Sequence, residues 1–385
     1  VERSLLVVSD THVSTELGAD VERDLARLVE RHRGSEIILA GDVFDLSFAR
    51  AKSSSAELLA AVLGRAPHVM DALRKHLGRG DPVTLVPGNH DAALADGDVE
   101  GALVARLGLS TAAPIRVMPW FVRRGALHIE HGHVYDPDNA PVHPLATWND
   151  RTEPLGVALI RRFVAPTGAV HFAHAQYATP LWAIRRAFAL YGHRAPWMIA
   201  SYFKTAIRLC FECGPTLLPH AEREREVGAA RLLAFAEASG VSERRLAEIL
   251  EATPRPTHLS RRDVFFRLYF DRVFAALVLA ASLPSIGRRP FAGLLAAGSL
   301  AYLAGSAARG KDRYGELPNL RLRDGAERIR ELTGARVVIF GHTHHETVDD
   351  GYVNSGSFAF PRGPGRPYVA VDERGTVELR RFSAR

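Results

Sequence analysis

Cysteine is almost absent: among 385 residues only Cys210 and Cys213 occur. Two thiols this close cannot build a disulfide framework, so a reducing compartment is the simpler setting. They form one Cys-X-X-Cys, half of a zinc ribbon or a redox pair. No second pair is present to complete a four-thiolate site, and a structural or incidental role is expected for both. Also missing from the start of the sequence is a basic segment followed by an apolar run and a cleavage site. Nothing there points to secretion, and a cytoplasmic location is expected. The chain has no internal repeat and no low-complexity tract, which sets aside repeat arrays and composition-driven disorder.

What is present suits a folded protein: 47% hydrophobic and 24% charged residues, in a chain long enough for one large domain or two ordinary ones. The net charge of +6 is unevenly spread. Residues 151–325 carry 25 Lys and Arg against 14 Asp and Glu, and the remainder carries 24 against 29. A basic middle suits a phosphate-bearing partner, whether nucleotide, nucleic acid or anionic lipid surface, and equally a solvated arginine-rich helical surface.

Short apolar runs bounded by Gly, Pro, Asp or His read as buried strands at Leu5–Val8, Ile37–Ala40, Val83–Val86 and Leu127–Ile129. Helical spacing over charged faces marks Val21–His32 and Ala56–Leu77 between them. Strand patterns resume at Val337–Phe340, Gly351–Asn354, Tyr368–Val371 and Val377–Leu379. This alternation predicts an α/β layered domain. From about 136 to 325 the chain is rich in Ala, Arg and Leu, with helical runs such as Glu222–Ala238 and Glu243–Glu251 and no alternating strand pattern. A large α-helical insertion is expected there, dividing the core into residues 1–135 and 326–385.

Five of these strands run into polar clusters: Ser9-Asp10-Thr11-His12, Gly41-Asp42-Val43-Phe44-Asp45, Pro87-Gly88-Asn89-His90-Asp91, Glu130-His131-Gly132-His133 and Gly341-His342-Thr343-His344-His345. Ligands of α/β sheets bind beyond the carboxyl ends of strands, so the clusters are expected to converge. One such residue is ordinarily a turn former or cap; five in succession are not coincidence. Asp, His and Asn without cysteine suit divalent ions such as Mn, Fe or Zn.

Asp-X-His, Gly-Asp-X-X-Asp, Gly-Asn-His-Asp, His-Gly and Gly-His-X-His, in this order, resemble the motif series of the calcineurin-like metallophosphoesterases over residues 3–135 and 326–385. The resemblance implies a four-layer α-β-β-α sandwich with two divalent ions at one edge. It implies that Asp10, His12, Asp42 and His344 hold one ion, and that Asn89, His131 and His342 with a bridging Asp42 hold the other. The implied nucleophile is a metal-bridging hydroxide attacking phosphorus in line. His90 corresponds to the histidine that faces the leaving group, and Asp91 is expected to orient its ring. Asp45 is expected to support ligands rather than to bind metal. His133 stands where an Asp is commoner, and His345 is an additional histidine expected near the surface.

The chain also resembles, more distantly, the lipid A-pathway pyrophosphatases that cleave UDP-diacylglucosamine. Those enzymes likewise insert helices before the Gly-His-X-His block. Their best known branch has Arg where this chain has His90, which weakens the carry-over of substrate but not of metal chemistry. A metal-dependent phosphoester hydrolase is expected, acting on an amphiphilic or lipid-linked phosphoester or pyrophosphate. A nucleic-acid phosphodiesterase and a non-catalytic scaffold of the same fold are the alternatives.

Within the insertion, Val273–Gly287 and Pro290–Ala308 lack charge apart from the Arg288-Arg289 between them. They read as a helical hairpin. A buried soluble lid, shallow membrane insertion and full spanning all fit the composition. Association with the inner face of a membrane is the corresponding expectation for location.

Overall fold

The computed structural model describes residues 3–14, 19–47, 55–109, 113–149, 151–169, 180–309 and 316–383. By its internal contacts the chain divides into two units. Unit 1 comprises Val1–Val157, Pro219–Pro256 and Arg321–Arg385; unit 2 comprises Ala158–Leu218 and Thr257–Leu320.

Unit 1 holds two mixed sheets. The first has six strands in the order β11-β10-β1-β2-β3-β4, with β1 at Leu5–Val8, β2 at Glu36–Ala40, β3 at Val83–Val86, β4 at Ile115–Val117, β10 at Arg366–Val371 and β11 at Val377–Phe382. Strands β1 to β4 run parallel, and β10 and β11 continue the sheet antiparallel. The second sheet has the order β5-β6-β7-β9-β8: Phe121–Arg124, Leu127–Glu130, Val337–Phe340, Tyr352–Asn354 and Thr347–Asp349 for β5, β6, β7, β9 and β8. Here β6, β7 and β9 are parallel.

Strand periodicity sorts the core into two layers. Leu6 and Val8, Ile37 and Leu39, and Val83 and Leu85 face one way and pack with the helices Ala19–Arg31 and Pro67–Gly78. Leu5, Val7, Ile38, Ala40 and Val86 face the other way, into a second cluster with Ile129, Ile339 and Phe340 of the other sheet and Leu322, Ala326 and Ile329 of the helix Leu317–Thr333. The result is a mixed α/β sandwich of two sheets flanked by helices, as expected from the sequence. The continuous apolar strands follow from burial on both faces.

The helix expected over Ala56–Leu77 is two helices, Ser55–Gly64 and Pro67–Gly78, because Pro67 cannot continue the first and starts the second. Among the described residues, no strand lies between β6 and β7. Within that span, Leu232, Phe235, Leu246 and Ile249 join the second core cluster, so residues 219–256 belong to unit 1. Unit 2 is helical among its described residues, with Pro180–Tyr191, Ala195–Glu212, Arg261–Arg267, Phe270–Ser282 and Pro290–Ala308 as its main helices. The last two pack along each other.

Candidate metal centre

Because β1, β2 and β3 are parallel neighbours, the loops that follow them emerge at one edge of the first sheet. Backbone hydrogen bonds join these loops: Asp10 N–H donates to Gly41 O at 3.0 Å, and His12 N–H to Asp42 O at 2.9 Å. The loops after β6 and β7 are joined in the same way, with Gly341 N–H donating to His131 O at 3.1 Å. The two sheets meet where His342 N–H donates to Asp10 Oδ2 at 3.1 Å.

These loops are held in conformations that cost energy. Six described non-glycine residues have φ in the left-handed region, and five of them are Asp10, His12, Asp42, His342 and His344. Each such residue costs on the order of 1–3 kcal/mol, and residues of this kind gather where function fixes the backbone. Two glycines allow the close approach. A Cβ on Gly88 would lie 2.2 Å from Asp42 Oδ1, and one on Gly41 would lie 2.3 Å from the His131 ring.

Six of the seven candidate ligands expected from sequence fall in groups whose ligand atoms could hold a metal ion. Asp10, His12 and His344 bring ligand atoms to one point. There, His344 Nε2 lies 3.1 Å from Asp10 Oδ1 and 3.3 Å from His12 Nε2. Asp42, His131 and His342 form a second group, and His12, Asp42 and His90 link the two. Asn89 is buried on the adjoining loop. His131 Nε2 stands 3.1 Å from Asp42 Oδ2, while its Nδ1–H donates to Ala40 O at 3.2 Å. A carbonyl can only accept, so Nδ1 carries a proton and Nε2 is the nitrogen that faces the cluster.

His342 is turned in the opposite sense. Its Nε2–H donates to Asp136 Oδ2 at 3.0 Å, which presents Nδ1 inward. Asp136 also accepts from Asn139 Nδ2 at 2.8 Å, and Asn139 Oδ1 accepts from Asn89 Nδ2 at 3.3 Å. A polar chain thus ties Asn89 to His342. Sequence reading missed Asp136 and Asn139, because Asp136-Pro137-Asp138-Asn139 has the composition of a simple turn.

The carboxylate that orients His90 is Asp45, not Asp91. Asp45 Oδ1 lies 3.0 Å from His90 Nδ1, and Ser47 Oγ reaches the same nitrogen at 3.0 Å. Asp91 instead accepts from the backbone N–H groups of Asp42, Val43, Phe44 and Gly88 at 3.2, 2.7, 3.2 and 2.7 Å. Its role is to clamp the Asp42 loop to the Gly88 loop. Adjacency to His90 in sequence was a poor guide, since consecutive loop residues point in different directions.

Burial opposes charge on every group here, and neighbours decide which groups ionise. Burial raises Asp10, but His131 and His344 overcome it and bring its pKa down to about 2. Asp42 is likewise held well below its usual range by His131 and His90. Burial lowers His90, and Asp45 and Asp42 reverse this, pushing it up to about 10. His131 rises to about 9 against burial, chiefly through Asp42 and Asp10. His133 goes the other way: burial, with His131 and His342 close by, holds it well below the ordinary imidazole value. Its ring centre is 5.4 Å from that of His131.

The donor set fits divalent cations. Asn89 Oδ1 is buried without a hydrogen bond, and the buried Asp10 Oδ1 and His131 Nε2 have only other candidate ligands, His344 and Asp42, as partners. Left so, each would cost about 1–3 kcal/mol, which cations bound within the cluster would offset. Oxygen and imidazole donors without sulfur suit Mn, Fe or Zn. No curated protein matches the chain. The family model for calcineurin-like phosphoesterase matches residues 3–192, ending before the 341–344 block that the structure brings into the same cluster. With that match and the metal-binding groups together, the chain belongs to the calcineurin-like phosphoesterases, hydrolases that act on phosphoric ester bonds.

Proposed function

We propose that the protein hydrolyses an amphiphilic, lipid-linked phosphoester or pyrophosphate with two divalent ions. In this reading Asp10, His12, Asp42 and His344 hold one ion. Asn89, His131 and His342 hold the second, with Asp42 shared. The observation that carries it is the juxtaposition of two three-residue ligand groups, with a third group drawing His12 from one and Asp42 from the other. Ions held by groups that share one carboxylate would act on the same phosphoryl group.

Bound ions of this kind act as Lewis acids toward phosphoryl oxygens and make water more acidic. The chain's own residues do the rest. Asp91 fixes the two loops that carry Asp42 and Asn89, and the Asp136–Asn139 chain sets the plane of His342. His90, kept protonated by Asp45, directs its Nε2 toward the side of Asp42, 3.9 Å from Oδ2. From there it donates its proton to the departing oxygen as the P–O bond breaks, opposite the entering water. The lipid character of the substrate is supported by unit 2, whose helices expose apolar side chains beside a surplus of arginine. The insertion serves in this reading as a subdomain that contacts substrate or membrane.

The test is a metal analysis and a hydrolysis panel on Mn-loaded protein. The panel compares bis-nitrophenyl phosphate, nucleotide monoesters, nucleotide-sugar pyrophosphates, lysophospholipids and single-stranded DNA. Two ions per chain and a preference for the lipid or sugar-pyrophosphate substrates are expected. A preference for DNA would replace the lipid reading. One ion per chain with no hydrolysis of any substrate would remove the proposal.

A further inference from the structure

The helices Phe270–Ser282 and Pro290–Ala308 pack with their polarity inside out. The residues buried at their contact are small or polar: Asp271, Ala275 and Ser282 on one helix, Ala292, Ala296 and Ser299 on the other. Many of the largest apolar side chains point away from it, with Phe274, Leu277, Phe291 and Leu294 exposed by 66, 63, 69 and 71%, while Val273, Val278 and Leu279 are half-buried. A soluble helical pair does the reverse, because water drives the largest apolar groups into the contact. Small residues inside and large ones outside is the arrangement adopted when the surroundings are themselves apolar. The polar base is locked: the Tyr302 hydroxyl donates to Asp271, and Arg272 Nη2 donates to Ser306 O at 3.3 Å. The exposed face is therefore held on a fixed scaffold.

Charge identifies what covers this face. Between Arg272 and Arg309 there is no Asp or Glu, and the only charged residues are Arg288 and Arg289 at the hairpin's turn, both exposed. Unit 2 as a whole has 16 Lys and Arg against 5 Asp and Glu. A second copy would bring arginine against arginine, whereas an anionic lipid surface meets the same residues favourably.

Geometry sets the depth. Pro290–Ala308 is long and apolar enough to cross a membrane by length and composition. Its 13-residue partner reaches only about 20 Å, against a hydrocarbon core of about 30 Å. Threading the hairpin through would also place Arg288 and Arg289 in or beyond the core, where arginine is costly. We infer that unit 2 docks on an anionic bilayer by laying this hairpin in the interface, apolar face down, with the arginines at headgroup level and no span formed. The inference rests on the proposed function in one respect, that the bilayer supplies the amphiphilic substrate.

The test is flotation of the full-length protein with vesicles of phosphatidylcholine alone or of equimolar phosphatidylcholine and phosphatidylglycerol. The intact protein should float with the anionic vesicles and be largely released by high salt. Phe291→Asp with Leu294→Asp should weaken partition roughly a hundredfold or more, the scale of two large apolar side chains returned to water. Arg288→Glu with Arg289→Glu should weaken it at least roughly 25-fold, about fivefold for each arginine lost. All four positions are exposed, so both variants should keep the thermal melt and the hydrolysis of bis-nitrophenyl phosphate. Intact protein that ignores both kinds of vesicle overturns the inference, as does partition indifferent to the aspartates. A dimer that forms without lipid and dissociates in the aspartate variant also overturns it, in favour of a second copy. Vesicle binding without hydrolysis of any phosphoester would sink the enzymatic reading alone, and hydrolysis without vesicle binding would sink the docking alone.

Discussion

Asp45 stands beside His90 as its charge partner, with Oδ1 3.0 Å from Nδ1, and its other oxygen lies 3.6 Å from Nδ1 of His12. One carboxylate therefore sets the plane of a proposed metal ligand and of the proposed proton donor. His90 and His12 hold Asp45 well below the carboxylate range despite its burial, so it is ionised throughout the working range. Removing that charge destabilises the His90 cation and lowers its pKa. Asp45→Asn should shift the alkaline limb of the kcat profile to lower pH by about one to two units, while both metals stay bound. An unmoved limb would show that Asp45 does not tune His90.

Asp42 belongs to two of the three ligand groups, lies 3.1 Å from His131 Nε2 and accepts the His90 backbone N–H at 2.8 Å. Asp42→Ala should abolish activity and tight binding of both ions together, because in the proposed site one carboxylate serves both. Metal analysis that still finds two ions per chain in this variant would remove the bridging role.

His90→Ala separates proton donation from metal binding. The variant should retain its ions and lose roughly 10²–10⁴ in kcat on substrates with poor leaving groups, the usual scale of general acid catalysis. Nitrophenolate needs little protonation on departure, so a nitrophenyl ester should suffer much less. Equal losses on both classes would leave His90 only an electrostatic role.

The loops that the structure gathers into one cluster are marked in the sequence by their strands, for a physical reason. Each proposed ligand follows a buried strand of four or five residues, and such strands are short, apolar and sharply ended. Parallel pairing then brings consecutive strand ends together. Strands β4, β5 and β8 escaped notice because Ile115–Val117 and Thr347–Asp349 are three residues long and Phe121–Arg124 ends in two arginines. The three-residue strands are too short to carry a period, and the arginines break the apolar run of Phe121–Arg124. Long-range partners such as Asp136 with His342, 206 positions apart, leave no local pattern at all. Composition also left the hairpin ambiguous, since only the structure reveals which of its residues face outward.

Gly88 offers a test of how tightly the loops are drawn. A Cβ there would meet Asp42 Oδ1 at 2.2 Å, Asp42 N at 2.6 Å and the His131 ring at 2.8 Å. None can retreat easily, because Asp91 clamps the Gly88 and Asp42 loops together. Gly88→Ala should cost about 3 kcal/mol or more and loosen metal binding, at the upper end for overpacking. Gly101, helical and with nothing within 4 Å of its added Cβ, is the control. Gly101→Ala should gain about 0.5–1 kcal/mol. If Gly88→Ala melts with the native protein and keeps its ions, the loops are softer than the contacts imply.

Glu224 gives unit 1 a pH-dependent stability that is independent of the metal centre. Its side chain is buried on the helix Leu218–Ala230 and accepts a hydrogen bond from the Thr152 hydroxyl. Burial pushes its pKa from 4.5 up to about 7, and the Thr152 hydrogen bond only partly offsets this. A carboxyl whose folded pKa is raised favours the fold while neutral and opposes it once ionised. The folded state is thus relatively favoured below pH 4.5, and that advantage is lost as pH rises to about 7. Above that range the cost levels off at about 2–3 kcal/mol, taking 1.4 kcal/mol per unit as an upper scale. Glu224→Gln keeps the acceptor oxygen for Thr152 and removes the titration. The variant should melt several degrees higher than the native protein at pH 8, and at nearly the same temperature at pH 4.5. An equal difference at both pH values would mean that Glu224 contributes through packing rather than charge.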